Sequence, residues 1–169
     1  EQAASQSASS VSGITVANAA NSIDGNLTNY TTITCSGTGV QAATETFTFG
    51  ITSTHSNSNF VAKYKVQTSS GVNDRNVIVT LTADGKSDAN SHASTTSDTS
   101  VEISNLSQGT TSATLTMAFN HVDLGTDGYS FVVRLYEMYV SYAVYGDDQD
   151  VVYSATDGPA ANSNWDSSG

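Results

Sequence analysis

The sequence of 169 residues predicts an all-β protein, an antiparallel, jelly-roll-like β-sandwich with flexible arms at both ends. Composition is the first indication, because the chain has 26 serines and 23 threonines but one proline, and threonine suits a pleated, half-exposed surface. The second indication is a period-two alternation of apolar and polar residues in several short segments. The third is the series of polar loops that separates these segments. A chain of this length is expected to form one domain that needs no disulfide or zinc ion for its core.

The chain divides into three parts. Residues 1–13 are small and polar, and we expect a flexible arm or linker there. Residues 14–146 are expected to form the β-sandwich domain. Residues 147–169 become acidic and lose periodicity, which predicts a tail, a linker or an assembly arm, with one short strand candidate at 151–154.

Six segments within the domain have the pattern of β-strands. In the first of them Phe47 and Phe49 alternate with threonines, which predicts one buried face. The pair Asp84-Gly85 predicts a tight hairpin turn. The polar segment 86–99 is expected to be a loop. The predicted strand segments are 43–52, 60–67, 75–83, 99–106, 112–119 and 129–146.

The charge of the chain excludes some classes of partner. The formal net charge is −11, with only five basic residues. Nucleic acid is not an expected partner, because phosphate binding needs a basic face. Membrane insertion is not expected either, because no run of eighteen apolar residues is present. The composition is of a surface type and favours an extracellular, cell-surface or virion location.

Cys35, the only cysteine, is expected to be a small buried hydrophobe.

No catalytic site is predicted, so the chain is not expected to be an enzyme. His55, His92 and His121 lie in polar segments without metal-binding spacing, and no G-x-S-x-G motif is present. The paired carboxylates lie in water-rich stretches, where their pKa values would hardly move. A minor alternative is a loop-borne binding site that combines His55 and His92 with Asn57 and Asn90.

A calcium-binding turn is predicted near the start of the domain. Asp24, Asn26 and Thr28 offer a carboxylate, an amide oxygen and a hydroxyl at alternate positions, and Ca²⁺ prefers oxygen ligands. Gly25 permits the sharp turn that brings them together. Leu27, between the ligand candidates, is expected to pack into the core. A turn without metal remains the simpler interpretation of the same residues.

Two short motifs resemble those of galactose-binding-like β-sandwiches: discoidin domains, coagulation-factor C-type domains and related carbohydrate-binding modules. "NAANSIDGNLTNYTTI", residues 18–33, resembles their A-x-DGN-x-x-T-x-(W/Y) motif, and "VVRLYEMYVSYAVYG", residues 132–146, resembles their strand of the form vRLyeiyv. The resemblance implies a β-sandwich with a structural calcium ion. The implied ligands are Asp24, Asn26, Thr28 and Glu137.

The resemblance does not supply a sugar-binding site. Tyr30 stands where tryptophan is frequent in the family, and the loops contain almost no aromatic residues that could stack on a pyranose ring. Trp165, the only tryptophan, lies in the tail.

Three N-x-[ST] sequons are candidate glycosylation sites, and they begin at Asn26, Asn29 and Asn105. A glycan on Asn26 would block calcium ligation by the same amide. The two interpretations of that residue therefore compete.

Tyrosines recur near the end of the chain and suggest an interface. Tyr136, Tyr139, Tyr142 and Tyr145 are spaced by three residues, which on a regular strand places their rings on alternating faces. Packing on both faces of the strand is one interpretation. Contact with another subunit is the other, because tyrosine is enriched at interfaces. The interface candidates are Tyr139, Tyr142, Tyr145 and Tyr153.

Two classes of function follow from these observations. The favoured one is a non-catalytic structural subunit of an extracellular or virion surface assembly, such as a filament, a surface layer or a virus particle. Its partners would be copies of the chain or a larger surface assembly. The alternative is a calcium-stabilised carbohydrate- or receptor-binding module of a secreted or surface protein, with a glycan as partner.

Overall fold

The computed structural model describes residues 3, 5–8, 13–37, 42–51, 55–68, 75–121 and 129–142, which form ten strands and one 3₁₀ helix. The strands are β1 (Ser5–Ala8), β2 (Ile14–Ala17), β3 (Thr31–Gly37), β4 (Ala42–Gly50), β5 (Ser58–Thr68), β6 (Arg75–Ala83), β7 (Lys86–His92), β8 (Thr99–Leu106), β9 (Ser112–His121) and β10 (Tyr129–Ser141), and the 3₁₀ helix spans Ala19–Ile23. Within the described residues no helix is long and apolar enough to cross a membrane.

Two five-stranded antiparallel sheets form a β-sandwich. One sheet has the order β1-β4-β9-β6-β7 and the other the order β2-β3-β10-β5-β8. The pairs β6/β7, β5/β8, β4/β9 and β3/β10 are nested, as in one long hairpin wound around a barrel. This winding is the jelly-roll arrangement, and β1 and β2 extend the two sheets at their edges. The predicted fold class is confirmed.

The core lies between the two sheets and follows the predicted alternation. Phe47 and Phe49 on β4 are fully buried, and so is Cys35 on β3. Burial raises the pKa of the Cys35 thiol to about 11, so the residue behaves as the expected small hydrophobe. Strands β5 and β9 contribute the inward-facing residues Phe60, Ala62, Tyr64, Val66, Ala113, Leu115, Met117 and Phe119.

The hairpin between β6 and β7 has the predicted turn. Asp84 has φ 54° and Gly85 has φ 70°, so both residues adopt the left-handed conformation. Two consecutive positive φ values are typical of a type I′ turn, whose twist matches that of the flanking strands.

Two segments differ from the sequence-based expectation. Ser5–Ala8, within the expected flexible arm, is strand β1 and pairs with β4 through the register Ser5↔Gly50 to Ala8↔Phe47. Lys86–His92, within an expected loop, is strand β7. β7 has no apolar face, so hydrophobic alternation could not predict it. The tail at 147–169, with its strand candidate, lies outside the described residues.

Polar side chains of β7 and of the turn before it bond to the backbone of the neighbouring sheet. The backbone N–H of Glu102 donates to Asp88 Oδ2 at 3.0 Å, and Asn90 Nδ2 donates to the carbonyl of Ser100 at 3.0 Å. The N–H of Ser107 donates to Asp84 Oδ2 at 2.9 Å. These bonds occupy backbone groups on the edge of β8 that an added strand would otherwise use.

Candidate cation site and binding groove

A β-bulge in β10 positions the two residues on which the candidate site depends. Leu135 pairs with Tyr64 on β5, Glu137 pairs with Lys63, and Tyr136 between them is the extra residue. A bulge puts two residues opposite one and redirects their side chains. Glu137 therefore projects from the outer face of the sheet. Leu135 and Met138, on the regular parts of the strand at either side of the bulge, face the core.

Glu137 is almost fully buried on this outer face. Only 3% of its surface is exposed, because the 3₁₀ helix and the turn that follows it pack against β10. The backbone N–H of Gly25 donates to Glu137 Oε2 at 3.1 Å. Glu137 Oε1 is buried and accepts no hydrogen bond from the part of the chain that the structure describes. A buried oxygen without a partner is costly, so this atom calls for one.

The environment of Glu137 disfavours its charged form. Burial raises the pKa of the Glu137 carboxyl to about 7, and the negative charge of Asp24 contributes to the increase. The N–H of Gly25 acts in the opposite direction, because it stabilises the carboxylate. A cation placed between the two carboxylates would compensate both the lost hydration and the repulsion.

The turn after the 3₁₀ helix is held by its own side chains. Asp24 Oδ1 accepts from the N–H of Asn26 at 2.8 Å, and Asp24 Oδ2 accepts from Asn29 Nδ2 at 2.8 Å. Asn26 Oδ1 accepts from the N–H of Thr28 at 2.9 Å and from its hydroxyl at 2.6 Å. These bonds fix the turn, with Gly25 at φ 79°, against the carboxyl of Glu137.

The four predicted calcium ligands are thus only partly brought together. Asp24 lies close enough to Glu137 for their charges to interact, whereas Asn26 and Thr28 are exposed and bond to each other. No group of three or more His, Cys, Asp or Glu side chains that could hold a metal occurs among the described residues. Two carboxylates supplemented by amide, hydroxyl and backbone oxygens form a donor set that suits Ca²⁺ and not Zn²⁺.

A groove lies beside this turn, on the outer face of the sheet β2-β3-β10-β5-β8. Its volume is about 340 Å³, and one of its walls is Leu27, which is 55% exposed and not packed into the core as expected. The turn is closed by its own hydrogen bonds, so the leucine at its tip projects outward. The groove is lined by Leu27, Lys63, Asp98, Thr99, Ser100 and Tyr136.

Aromatic rings and cations alternate around the groove. The rings of Tyr30 and Tyr136 meet edge to face with centroids 5.7 Å apart, and the guanidinium of Arg134 lies 4.8 Å from the centroid of Tyr30. Lys63 Nζ lies 5.6 Å from the ring centroid of Tyr139. Aromatic residues for sugar binding were expected in loops, so this sheet face was not predicted as a site. The alternation of Lys63 with buried neighbours on β5 could have indicated that Lys63 projects from an outer face.

The spacing of the tyrosines is interpreted differently once the bulge is known. A spacing of three would separate Tyr136 and Tyr139 onto opposite faces, but the extra residue brings both to the outer face. Tyr142 is 44% exposed, and the centroid of its ring lies 4.6 Å from the centroid of the His55 ring. Tyr145 and Tyr153 lie outside the described residues.

The three sequon asparagines are exposed. The amide nitrogen of Asn29 donates to Asp24, and the carbonyl oxygen of Asn26 accepts from Thr28. Asn105 has φ 56° and its backbone N–H donates to Asn59 Oδ1 at 3.2 Å. Their use as glycan acceptors stays a prediction.

The alternative site formed by histidines and asparagines from different loops is not assembled. His92 Nε2 lies 2.7 Å from the hydroxyl of Tyr64, and Asn90 bonds to Ser100 at the start of β8. The N–H of Asn57, by contrast, donates to the carbonyl of Leu106 at the end of β8. The length of that strand therefore separates the two pairs.

Comparisons with known proteins find similarity to solved structures at 10–14% identity. No family model and no curated protein matches the chain. The chain is similar to the carbohydrate-binding module TmCBM61, solved in complex with β-1,4-galactotriose, with 10% identity, a TM-score of 0.48, and coverage of 84% of this chain and 91% of that one. It is also similar to the module CBM36, solved with calcium and xylotriose, with 14% identity, a TM-score of 0.38, and coverage of 81% and 99%.

A third similar structure is the enzymatically active domain of tailspike protein 4 of bacteriophage CBA120, with 14% identity and a TM-score of 0.45; 80% of this chain is covered, but only 19% of the tailspike chain. The motif resemblance to galactose-binding-like domains has no family match to support it.

Proposed function

We propose that this chain is a non-catalytic carbohydrate-binding module of a secreted or surface protein, which binds a glycan in the groove on the outer sheet face and is stabilised by a calcium ion at the neighbouring turn. The observation that carries the proposal is the groove itself, whose lining combines Tyr136 and Leu27 with the polar residues Lys63 and Ser100.

The chemistry of the groove suits a sugar. A pyranose has apolar C–H faces and a rim of hydroxyls, so its site needs an aromatic or apolar wall together with hydrogen-bonding groups. Tyr136 and Leu27 provide the first, and Lys63, Asp98 and Ser100 provide the second. The volume of about 340 Å³ lies within the range of about 300–1,000 Å³ that small-ligand sites occupy.

The cation has a supporting role in this proposal. Asp24 and Glu137 would hold Ca²⁺ together with oxygens of the turn, and the ion would neutralise two carboxylates that otherwise repel each other. Leu27 lies in the turn and Tyr30 follows it, so a stabilised turn fixes one wall of the groove. The ion itself would not need to contact the glycan.

The binding module is preferred to the structural subunit that the sequence favoured. Tyr139, one of the interface candidates, belongs with Tyr136 to the outer face around the groove. The large apolar side chains that are exposed in the described part of the chain are Leu27 and Tyr142. The edge of β8, an obvious position for strand addition, has backbone groups bonded to β7 side chains and to the preceding turn.

A glycan microarray probed with the wild-type protein in millimolar Ca²⁺ tests the proposal. The matched variants are Tyr136→Ala, which removes the ring in the groove, and Tyr142→Ala, which removes an exposed ring outside it. We expect binding to a defined group of glycans by the wild type and by Tyr142→Ala. Tyr136→Ala should lose about tenfold or more in affinity, because an aromatic contact of about 1–1.5 kcal/mol is removed together with its buried area.

The thermal unfolding midpoints of both variants serve as the control for folding. Equal glycan binding by a folded Tyr136→Ala and the wild type would refute the location of the site. Absence of binding to every glycan on the array would refute the function.

A further inference from the structure

Basic residues are concentrated on one face of an otherwise acidic protein. The chain has 5 basic and 16 acidic residues. Lys63 and Lys65 alternate with buried residues on β5, and Arg134 alternates with buried residues on β10, so all three project from the outer face of the same sheet. Three of the five positive charges therefore lie around the groove and on the strands beneath it.

Two of these cations are direct cross-strand partners. Arg134 pairs with Lys65 in the antiparallel ladder, which brings their Cβ atoms to about 4.5–5.5 Å. Like charges directly opposite each other destabilise a sheet. Among the described residues the one ion pair is Lys86–Asp84, at the β6–β7 turn, so neither Arg134 nor Lys65 has a carboxylate within 4.0 Å. An anion between them would remove the repulsion.

Arg134 is arranged to receive such an anion. Its guanidinium lies 4.8 Å from the ring of Tyr30, and a stacked guanidinium keeps the N–H groups at its edge free. These N–H groups match the two oxygens of a carboxylate in a forked, charge-assisted pair. The stack of Arg134 on Tyr30 adjoins the groove, because Tyr30 contacts Tyr136 edge to face and Tyr136 lines the groove.

The carboxylates of this face leave the pair Lys65 and Arg134 without an ion pair. Asp98 lines the groove together with Lys63, and Glu137 is the cross-strand partner of Lys63. Among the described residues neither Lys65 nor Arg134 has a carboxylate within 4.0 Å. Exposed charges more than about 8 Å away are largely screened at physiological ionic strength. The net charge of −11 therefore weakens long-range attraction more than it weakens binding at the face itself.

We propose that the ligand of this face is an acidic saccharide, a glycan that contains uronate residues. The carboxylate binds between Arg134 and Lys65, and the sugar ring of the same or the next residue lies against Tyr136 in the groove. This inference rests on the proposed glycan-binding function and specifies the class of glycan.

Titration calorimetry with paired oligosaccharides tests the inference. The probes are tetrasaccharides of galacturonate, glucuronate and mannuronate, each beside its carboxyl-reduced counterpart of the same linkage, and a sulfated, carboxyl-free tetrasaccharide. We expect at least one uronate to bind, with an affinity about tenfold or more above that of its reduced counterpart. Its affinity should also fall as the salt concentration rises, because screening weakens the charge pairs.

The variants separate a local contact from a general effect of charge. Arg134→Gln and Lys65→Gln each remove one positive charge from the face, and Arg75→Gln removes the same charge from β6 in the other sheet. The first two should lose about tenfold in uronate affinity and with it the difference between the uronate and its reduced counterpart, whereas Arg75→Gln should keep both. Arg134→Lys should recover only part of the loss, because it lacks the planar fork.

Each remaining outcome has a definite meaning. Equal binding of a uronate and its reduced counterpart would overturn the inference and leave the glycan-binding function intact. Binding of the sulfated probe without any uronate would overturn the assignment of a carboxylate. No binding of any acidic probe would overturn the inference as well, and a glycan array without any bound glycan would show that the proposed function fails with it.

Discussion

Glu137 is the residue on which the calcium proposal depends. It is 3% exposed, its Oε2 accepts a hydrogen bond from the backbone N–H of Gly25, and its Oε1 is buried without a hydrogen-bond partner among the described residues. A carboxyl in this environment is either protonated or paired with a cation. Both possibilities have measurable consequences.

The first prediction concerns the response to calcium. We expect millimolar Ca²⁺ to raise the unfolding midpoint of the wild type relative to EDTA, and saturation at about 100 times Kd adds roughly 2.7 kcal/mol. For a chain of this length that corresponds to about 5–10 °C. Glu137→Gln should lose the response, because an amide cannot neutralise the ion. An equal midpoint of the wild type in EDTA and Ca²⁺ would exclude a structural calcium ion.

The second prediction concerns pH in the absence of calcium. The pKa of Glu137 is raised from about 4.5 in the unfolded chain to about 7 in the folded protein, so the folded state holds the proton more tightly. As the pH rises from about 4.5 to about 7, this group should lower the free energy of unfolding by up to about 1.4 kcal/mol per pH unit. The wild type in EDTA should lose stability over this range relative to Glu137→Gln. Parallel pH profiles of the two proteins would contradict the assignment.

The third prediction concerns Cys35. Because the thiol is fully buried and burial raises its pKa to about 11, it should react with a thiol-specific reagent at neutral pH only after unfolding. The rate of labelling in the native state, compared with that in denaturant, measures this. Fast native labelling would mean that β3 opens readily.

At the scale of single elements, the bulge in β10 links the two candidate sites. The extra residue between Leu135 and Glu137 turns Glu137 toward the turn at Asp24 and brings Tyr136 into the groove. A regular strand could not present both side chains on the outer face. The sequence motif around Glu137 predicted its role as a ligand but not the bulge, because a bulge depends on pairing with β5 and not on local alternation.

Strand β7 shows the same limit of sequence reasoning. Its residues are polar throughout, so no hydrophobic pattern distinguished it from a loop. Its stability comes from pairing with β6 and from side chains that bond to β8, as with Asp88 and the backbone of Glu102. Such contacts between segments distant in the chain cannot be read from a local window.

The fourth prediction tests this contact between the sheets. Asp88→Ala leaves the backbone N–H of Glu102 without its acceptor and should lower the free energy of unfolding by about 0.5–1.5 kcal/mol. Ser87→Ala, at an exposed neighbouring position, is the control and should change it much less. Denaturant unfolding of both variants provides the measurement. Equal stabilities would show that the bond contributes nothing.

At the scale of the whole molecule, composition and alternation were sufficient to predict a β-sandwich. Phe47, Phe49 and Phe60 face the core as their spacing required. The pairing of the sheets, and with it the outer face around Tyr136, could not be predicted, because it depends on which strands become neighbours. The candidate groove was therefore not predicted, because the sequence does not show that the strands carrying Lys63 and Tyr136 become neighbours.

The fifth prediction concerns assembly. A glycan-binding module should be monomeric, and light scattering after size exclusion should give a mass near 17.5 kDa in Ca²⁺ and in EDTA. Large or filamentous species would favour the structural subunit instead, and the interface tyrosines Tyr139 and Tyr142 would then be the first positions to replace.

The most direct test of glycan binding on the outer sheet face is amide chemical-shift mapping. The ¹⁵N-labelled protein is titrated with the oligosaccharide that binds most tightly on the array. Perturbed amides should cluster on β10, β5 and the start of β8, and at the turn from Asp24 to Thr28. Perturbations confined to the sheet β1-β4-β9-β6-β7, or to the region around His55, would contradict the account.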